Sequence, residues 1–391
     1  MVFVNHWASR LGGAELSLQD LIARASQQAR CHLVTTESGT LVENARSHGA
    51  DCHIIPCPSS VDRFRRDRLL PALFSCWHAV PGYVVFSFRL ARLLKRLSPD
   101  IVHANVPKSH VGVFLAVLWG FRGATCFHLR EIFHGNTAVR LLYGILFPRT
   151  GASVIAISEA VRRRLPRRLR RRASVIHNGI PLPHVHRRDR EDRGVRFIYL
   201  GRVVPWKRCH LLVAFFARVR LLLPRADISL SIVGDTLYWP DSYRRHVRRS
   251  IHDLGVDRCC VLRGHTSRVY ETMSAHDVFC SVADHEPFGR AAVEAQACGL
   301  PVVAVNSGGM SEVVANGTTG VLTEEGNDEA FVAAMAGFVQ NTGLIAAMGG
   351  EARKRVRALF DAKVQVPAIV DFLRAATNAE RRRQRQPSIE G

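Results

Sequence analysis

The sequence predicts an α/β fold with two doubly wound, parallel-sheet domains of similar size. Short apolar runs rich in β-branched residues alternate with longer amphipathic runs along nearly the whole chain, which is typical of repeated βα units. The alternation is interrupted by PLPHVHRRDREDRGV, whose proline, arginine and acidic residues have no apolar period. The polar motifs come directly after predicted strands, where open parallel sheets bind their ligands.

The predicted strands and helices fall on both sides of that interruption. In the first half the strands are VFVNH, HLVTT, CHIIP, IVHANV, TCFHL, SVIAIS and SVIHN. The helices between them are GAELSLQDLIARASQQA, YVVFSFRLARLLKRL, TAVRLLYGILF and SEAVRRRL. In the second half the strands are RFIYLG, DISLSIVG, CCVLRG, DVFCSVA, PVVAV and GVLT.

These elements predict the domain boundaries. The first domain is expected over residues 1–180, a linker over residues 181–195 and the second domain over residues 196–360. A helix over residues 361–378 is expected to pack back on the first domain. The tail over residues 379–391, which includes ERRRQRQ, is expected to be disordered.

Composition favours anionic partners. The chain has 391 residues and a formal charge of +21, which suits nucleic acid, an acidic membrane or phosphorylated small molecules. A GC-rich genome would produce the same excess of arginine. Ten cysteines without a CxxC pair favour free thiols and a cytoplasmic location, and attachment to the inner face of a membrane stays open.

Two segments raise the question of a membrane. Residues 69–88 carry no formal charge, but their prolines and glycine argue against a spanning helix. A basic-flanked interfacial segment and a buried helix are equally compatible with them. The run VRRRLPRRLRRR holds eight arginines and would suit an anionic membrane or a solvated helix face. It lacks the interleaved aromatic residues of a specific nucleic-acid binder.

Two loops have the composition of phosphate sites. Gly12 and Gly13 precede the first helix, where paired glycines allow a ligand to approach backbone N–H groups. Arg202 and Lys207 follow the strand RFIYLG and lie beside the start of the next helix, which suits a diphosphate. A plain turn and a solvated basic loop are the structural alternatives.

The stretch HEPFGRAAVEA holds two carboxylates around a predicted helix start. Glu286 is expected in the loop and Glu294 on the second turn of the helix, with both side chains near the same edge. The N–H groups of Phe288, Gly289 and Arg290 begin that helix. This array offers acceptors for hydroxyls and donors for phosphate. The purely structural alternative is that Glu286 caps the helix and Glu294 is an ordinary surface residue.

Other motifs are absent or weak. Gly308 and Gly309 follow the strand PVVAV and suit another close approach to a ligand. The sequence contains no GxxxxGK[ST], HExxH or GxSxG motif and no DxD, so a P-loop, a zincin and an acidic metal clamp are not predicted. We therefore predict no metal and no cofactor.

Taken in order, LGGAE, FHLRE, AISEAV, VIHNGI, LGRVVPWK, IVGD, EPFGRAAVEA and GLPVVAVNSGGMSEVV resemble the retaining glycosyltransferases of family 4, also called group 1. The matches run from about residue 1 to residue 325. The resemblance implies a GT-B fold, in which two facing Rossmann-like domains hold a donor in the cleft between them. One departure is Pro181, which stands where the family often has aspartate.

The resemblance also implies residue roles. Arg202 and Lys207 would bind the diphosphate of a nucleotide-diphosphate sugar, Glu286 the sugar hydroxyls and Glu294 the ribose hydroxyls. Backbone N–H groups of the loop before the helix would lie near the sugar. The implied donor-binding set is Gly12, Gly13, Arg202, Lys207, Glu286, Phe288, Gly289 and Glu294, and the implied catalytic set is His128, Arg202, Lys207 and Glu286.

In the first domain, Gly12 and Gly13 would lie against the diphosphate, and His128 near the sugar and the acceptor. Glu312 would be structural or near the donor. The implied reaction is metal-independent transfer, with retention, from a UDP- or GDP-sugar to a hydroxyl of a saccharide, glycolipid or polysaccharide intermediate. A nucleotide-sugar epimerase and a basic membrane- or nucleic-acid-binding protein with a degenerate GT-B fold are the alternatives.

Overall fold

The computed structural model describes residues 1–9, 11–57, 79–132, 143–144, 147, 150–184, 194–236 and 240–385. The described residues form two compact units. The first takes in Met1–His177 and Gln365–Gly391, and the second takes in Asn178–Val364. Each unit is an α/β domain with its own parallel sheet, which confirms the predicted fold class.

The first unit contains a seven-stranded parallel sheet in the order β3-β2-β1-β4-β5-β6-β7. The order reverses between β1 and β4, and such a reversal is the point of the carboxyl edge where doubly wound sheets bind ligands. The strands are β1 (Val2–Val4), β2 (His32–Thr35), β3 (Asp51–Ile54), β4 (Ile101–Ala104), β5 (Ala124–Leu129), β6 (Ser153–Ala156) and β7 (Ala173–Val175).

Helices with apolar inner faces cover this sheet. In the first helix Leu18, Leu21, Ile22 and Ala25 are buried at the spacing of one helix face. The helices of the unit are α1 (Gly13–Ser26), α2 (Thr40–Ser47), α3 (Ala79–Leu97), α4 (Pro107–Leu118), α5 (Glu159–Arg163), α6 (Arg167–Arg170) and, from Gln365 on, the last helix of the chain, α14 (Ala362–Arg385).

The second unit contains a six-stranded parallel sheet in the order β10-β9-β8-β11-β12-β13, which reverses between β8 and β11. Its core includes the buried rings of Phe197, Phe216 and Phe331. The strands are β8 (Val195–Leu200), β9 (Ile228–Val233), β10 (Cys260–Arg263), β11 (Val278–Ser281), β12 (Val302–Val305) and β13 (Gly320–Thr323).

One helix of the second unit, which begins at Asp328, has a side-chain cap. Asn327 accepts a hydrogen bond from the N–H of Ala330 at 3.1 Å and so starts this helix. The helices of the unit are α7 (Cys209–Leu222), α8 (Ser242–Asp253), α9 (Val269–Ser274), α10 (Arg290–Ala297), α11 (Met310–Val313), α12 (Asp328–Gln340) and α13 (Gly343–Leu359), and Pro205–Lys207 forms a short 3-10 turn.

Two predicted boundaries need correction, and three predicted segments lie wholly or mostly outside the described residues. Val195, assigned to the linker, is the first residue of β8 and pairs with Ile228. The predicted disordered tail is helical through Arg385, because glutamate, arginine and glutamine are good helix formers. Most of TAVRLLYGILF, residues 69–78 of the uncharged segment and most of the linker lie outside the described residues.

The last helix packs on the first unit. Ile369, Val370 and Leu373 are buried at helical spacing, and the guanidinium of Arg374 donates a hydrogen bond to Oε1 of Gln28 at 2.7 Å. Further along, Arg381 pairs with the carboxylate of Asp100, just before β4. Residues 365–385 therefore complete a domain whose other strands and helices all come before residue 178.

Within the described part of the chain, no single helix is long and apolar enough to cross a membrane. One bent pair, Asp328–Gln340 with Gly343–Leu359, passes the test of length and composition when its members are taken together.

The loops after β8 and β9 approach so closely that only glycine fits. Gly234→Ala is expected to destabilise the second unit by about 2–4 kcal/mol, because the new Cβ would lie 1.8 Å from the carbonyl oxygen of Gly201 at a φ of +143°. The matched control is Gly337→Ala in α12, where the added Cβ meets nothing within 4 Å and should stabilise slightly. Urea unfolding followed by circular dichroism tests both. Equal midpoints for the two variants would contradict the expectation.

Candidate active site

The loop that follows β8 carries two of the predicted cationic residues. Its backbone is fixed by a hydrogen bond from the Tyr199 hydroxyl to the carbonyl of Arg202 at 2.8 Å, and by one from the N–H of Val203 to the carbonyl of Asp235 at 3.0 Å. The side chain of Arg202 is exposed and its guanidinium carbon lies 5.2 Å from the centre of the Trp206 ring. Lys207 ends the 3-10 turn that follows.

The loop that follows β11 lies beside the first loop, because β8 and β11 are neighbours at the reversal of strand order. The N–H of Asp284 donates to the carbonyl of Trp206 at 2.8 Å and ties the two loops together. His285 and Gly289 both have left-handed backbones, with φ of +54° and +101°. These two residues lie on either side of Glu286, and α10 starts at Arg290, directly after Gly289.

Lys207 and Glu286 form an ion pair at this edge although they are 79 residues apart in sequence. The two side chains are only 15% and 12% exposed, so the charges are largely withdrawn from water. A pair this buried is stable only when both members are present, since removing either one leaves a lone charge. The structure thus brings together two of the predicted site residues.

Arg208 also connects the loop that follows β8 to the loop that follows β11. Its backbone is left-handed, and its guanidinium contacts the carboxylates of Asp284 at 2.9 Å and Glu325 at 3.0 Å. It therefore links the loops that follow β8, β11 and β13. Arg208 was not among the predicted site residues, because its position one residue after Lys207 carries no signal of its own.

Glu294 lies on the second turn of α10 and is buried. Nε of Arg290 donates to its Oε1 at 2.8 Å, so this second carboxylate also has a cationic partner. For Arg290, only a role of the backbone N–H was predicted from the sequence. The four-residue spacing between Arg290 and Glu294 is the signal that would have found the ion pair.

Gly308 and Gly309, which follow β12, contact the backbone of Glu286. The N–H of Gly309 donates to the carbonyl of Glu286 at 2.7 Å. A Cβ on Gly308 would lie 2.0 Å from that same carbonyl oxygen. The close approach expected of these glycines is therefore made to the protein backbone, and its effect is to hold the Glu286 loop in place.

Two further residues of this region have structural contacts. The ring of Phe288 is buried edge-on against Phe360, with ring centres 5.6 Å apart, so this side chain belongs to the core. The guanidinium of Arg355 donates to the backbone carbonyls of Glu312 at 2.8 Å and Val313 at 3.0 Å and so anchors the short helix α11.

In the first unit, Gly12 and Gly13 form the start of α1 at the carboxyl edge of the sheet. The N–H of Gly12 donates to the carboxylate of Glu15 at 3.0 Å, so this amide is already engaged within the chain. Burial raises the pKa of Glu15, and the hydrogen bonds it accepts offset part of that effect. Glu15 was not predicted as a site residue.

His128 is the last residue but one of β5 and belongs to a buried polar row. Its Nδ1 lies 3.1 Å from Nε2 of His103 and 3.3 Å from Nη2 of Arg130. Nε of Arg130 donates to Asn105 at 2.7 Å, and the Asn105 amide donates to Asn5 at 3.0 Å. The row thus crosses the carboxyl ends of β1, β4 and β5. Nε2 of His128 has no hydrogen-bond partner among the described residues.

Burial, together with nearby Arg130 and the neighbouring histidines, holds the pKa of His128 well below its ordinary value of 6.5. Burial likewise lowers the pKa of His103 to about 3. These rings are neutral near pH 7, so one nitrogen of each carries a proton and the other can accept one. The role predicted for His128 stays a prediction.

Across the described ranges, no group of three or more His, Cys, Asp or Glu side chains is placed to hold a metal ion.

Comparisons with known proteins agree with this architecture. A family model described as glycosyltransferase family 4 matches residues 11–184, and one described as glycosyl transferases group 1 matches residues 186–355. The described fold resembles Anabaena Alr3699/HepE, solved with UDP and glucose, with a TM-score of 0.77 and 22% identity over 95% of this chain and 98% of that one.

Among curated relatives, the glycogen synthase of Mycobacterium tuberculosis is 30% identical over 224 residues, which are 56% of this chain and 52% of that protein. A GDP-mannose-dependent alpha-(1-6)-phosphatidylinositol monomannoside mannosyltransferase of Mycolicibacterium smegmatis is 32% identical over 185 residues, 43% of this chain and 46% of that protein. The matched segments thus span about half the length of these relatives.

The two Rossmann-like sheets define a protein of the GT-B fold class. Since the two family models together account for nearly all of the chain, it belongs to the group 1, family 4-like glycosyltransferases. This confirms the family predicted from the motifs.

The buried histidines predict an acid-sensitive first unit. Burial lowers the pKa of His103 and His110 to about 3, whereas both titrate near 6.5 when unfolded. As the pH falls below 6.5, the unfolded chain takes up protons that the folded chain does not. Stability should therefore fall by about 1.4 kcal/mol per pH unit for each histidine.

Urea unfolding between about pH 8 and pH 5 measures this loss. His103→Gln should make the dependence shallower, whereas His252→Gln, at an exposed position on α8, should leave it unchanged. A wild-type midpoint that does not move with pH would contradict the expectation.

Proposed function

We propose that this chain is a glycosyltransferase that moves a sugar from a nucleotide-diphosphate sugar to an acceptor hydroxyl, with retention of configuration and without a divalent metal. The observation that carries the proposal is the buried Lys207–Glu286 pair at the carboxyl edge of the second sheet. It sets a cation for phosphate next to a carboxylate for hydroxyls, at the place where doubly wound sheets bind ligands.

The donor would enter by exchanging partners with this ion pair. Lys207 would turn from Glu286 to the diphosphate, and Glu286 would then accept hydrogen bonds from the sugar hydroxyls. Arg202, which is exposed in the same loop, would supply a second cation to the phosphates. Before the donor binds, Lys207 and Glu286 are each other's partners. Their ion pair therefore keeps both side chains oriented for the ligand.

The start of α10 would complete the donor site. The first N–H groups of a helix have no partner within that helix and favour an anion or a polarised oxygen. Gly289, with its left-handed backbone, brings them close to the Glu286 loop. Glu294, held by Arg290, would accept the ribose hydroxyls.

The chemistry follows from this arrangement. The bond between the anomeric carbon and the diphosphate oxygen breaks, and a bond from that carbon to the acceptor oxygen forms on the same face. The proton of the acceptor hydroxyl passes to the leaving diphosphate. Negative charge grows on the diphosphate as the bond breaks, and Arg202 and Lys207 stabilise it. No protein carboxylate has to act as the base.

UDP- and GDP-sugars are the proposed donors, supported by the UDP and glucose bound in HepE and by the GDP-mannose named for the mycobacterial relative. The proposed acceptors are saccharides, glycolipids or polysaccharide intermediates. A thermal-shift screen over UDP-, GDP-, ADP- and dTDP-sugars selects the donor, because a bound donor raises the melting temperature by mass action.

The site assignment is tested by substitution. Lys207→Ala and Glu294→Ala are each expected to lower kcat/KM by about two to three orders of magnitude and to reduce the thermal shift caused by the donor. Lys354→Ala is the matched control, since Lys354 is exposed on α13 and pairs only with Glu351 in the described contacts. Circular dichroism checks that the variants fold. Unchanged transfer in both site variants would overturn the assignment.

Assays with and without an acceptor distinguish a glycosyltransferase from a nucleotide-sugar epimerase. With a hydroxyl acceptor present, the donor should be consumed with formation of a glycoside whose anomeric configuration matches the donor, as read by NMR. Without acceptor, the donor should not be converted to its epimer. The rate should be unaffected by EDTA, because Arg202 and Lys207 are proposed to stabilise the diphosphate without a metal. Epimer formation without acceptor would contradict transfer, and inactivation by EDTA would contradict metal independence.

A further inference from the structure

A second feature of the first unit is an exposed face on α3, continued by the end of α4. We infer that this face docks on an anionic lipid membrane. The inference rests on the surface of the first unit and does not depend on the proposed transfer reaction.

The first half of the face is apolar. Val80, Val84, Val85 and Phe88 are 38–50% exposed on the outer side of α3, whereas Phe86 on the inner side is buried. Their spacing places them on one side of a helix. Large aliphatic and aromatic side chains gathered in this way mark an interaction site, because single exposed residues are common but contiguous patches are not.

The end of α4 extends the apolar surface. Leu118 and Trp119 are 60% and 43% exposed. The Trp119 ring lies edge-on to Phe88 with ring centres 5.5 Å apart, and its Nε1 donates to Ser87 at 3.1 Å. The indole is therefore held outward by the protein and has its N–H satisfied. Tryptophan in such a position suits the boundary between lipid headgroups and acyl chains.

The second half of the same face is basic. Arg89, Arg92, Lys95 and Arg96 are exposed on the continuing turns of α3. Asp100 is the one acidic residue in the sequence from 79 to 130, and it pairs with Arg381. The α3 face thus joins apolar side chains to cations without a carboxylate among them.

This combination fits one kind of partner best. The apolar half can enter the acyl boundary, and the arginines can reach lipid phosphates at the same time, as for an amphipathic helix lying in the interface. The run VRRRLPRRLRRR differs, because its leucines at 165 and 169 are buried and its exposed side chains are arginines. That run can add attraction but has no apolar residues to insert.

The face lies next to the carboxyl edge of the first sheet. The Tyr83 hydroxyl donates to the carbonyl of Lys108 at the start of α4, and the Lys108 ammonium lies 4.3 Å from the ring centre of Trp7 in the loop after β1. A membrane bound to the apolar half of α3 would therefore lie beside the loops that follow β1 and β4.

Vesicle binding tests the inference. The full chain should sediment with vesicles of phosphatidylcholine and phosphatidylglycerol, and much less with phosphatidylcholine alone. Val85→Asp with Phe88→Asp, and Arg89→Glu with Arg92→Glu, should each lower the partition coefficient by about tenfold or more. The matched controls change exposed residues of the second unit, Leu221→Asp with Leu222→Asp and Arg248→Glu with Arg249→Glu, and should change it less than about twofold.

Insertion is distinguished from surface attraction by lipids with brominated acyl chains. These should quench tryptophan fluorescence in the wild-type protein and much less in Trp119→Phe. Binding that the α3 variants leave intact would overturn the inference. So would a dimer seen by light scattering in the absence of lipid and dissociated by Phe88→Asp. Donor-induced thermal shifts should persist in the α3 variants, so a failure here is separable from a failure of the proposed activity.

Discussion

The ion pair between Lys207 and Glu286 is the constraint on which the second unit's edge is built. It joins the loops of two neighbouring strands that the chain reaches 79 residues apart. The surrounding contacts serve to hold its two ends: Asp284 bonds to Trp206, and Gly309 bonds to the carbonyl of Glu286. Because both side chains are largely buried, either charge would destabilise the fold if its partner were removed. The loops therefore have a common fixed arrangement before any ligand arrives.

The two units differ in the residues that lie where their strand order reverses. Each reverses its strand order once and so leaves polar loops at one point of its carboxyl edge. In the second unit that point is charged, with lysine, arginine and carboxylates in ion pairs. In the first it is a row of asparagines and neutral histidines around one arginine. Ion pairs are concentrated where phosphates are proposed to bind, whereas the edge of the first unit sets one arginine among neutral hydrogen-bonding groups.

The fold could be predicted from sequence because each buried strand is a short apolar run followed by a turn, and every strand of the two described sheets coincides with such a run. Contacts could not be predicted in the same way. The pairing of Lys207 with Glu286 depends on which strands become neighbours, and the approach of Gly308 to the Glu286 backbone depends on loop geometry. The end of α14 was misjudged because a run of arginines suggested solvation rather than helix propensity.

The last helix has a consequence for how the chain acquires its structure during synthesis. The first domain is discontinuous, since residues 365–385 of α14 belong to it and leave the ribosome after the whole second domain. Until then the surface that receives Ile369, Val370 and Leu373 is bare. The second domain can therefore finish folding before the first domain has all of its residues. The first domain is completed only when residues 365–385 have been synthesised.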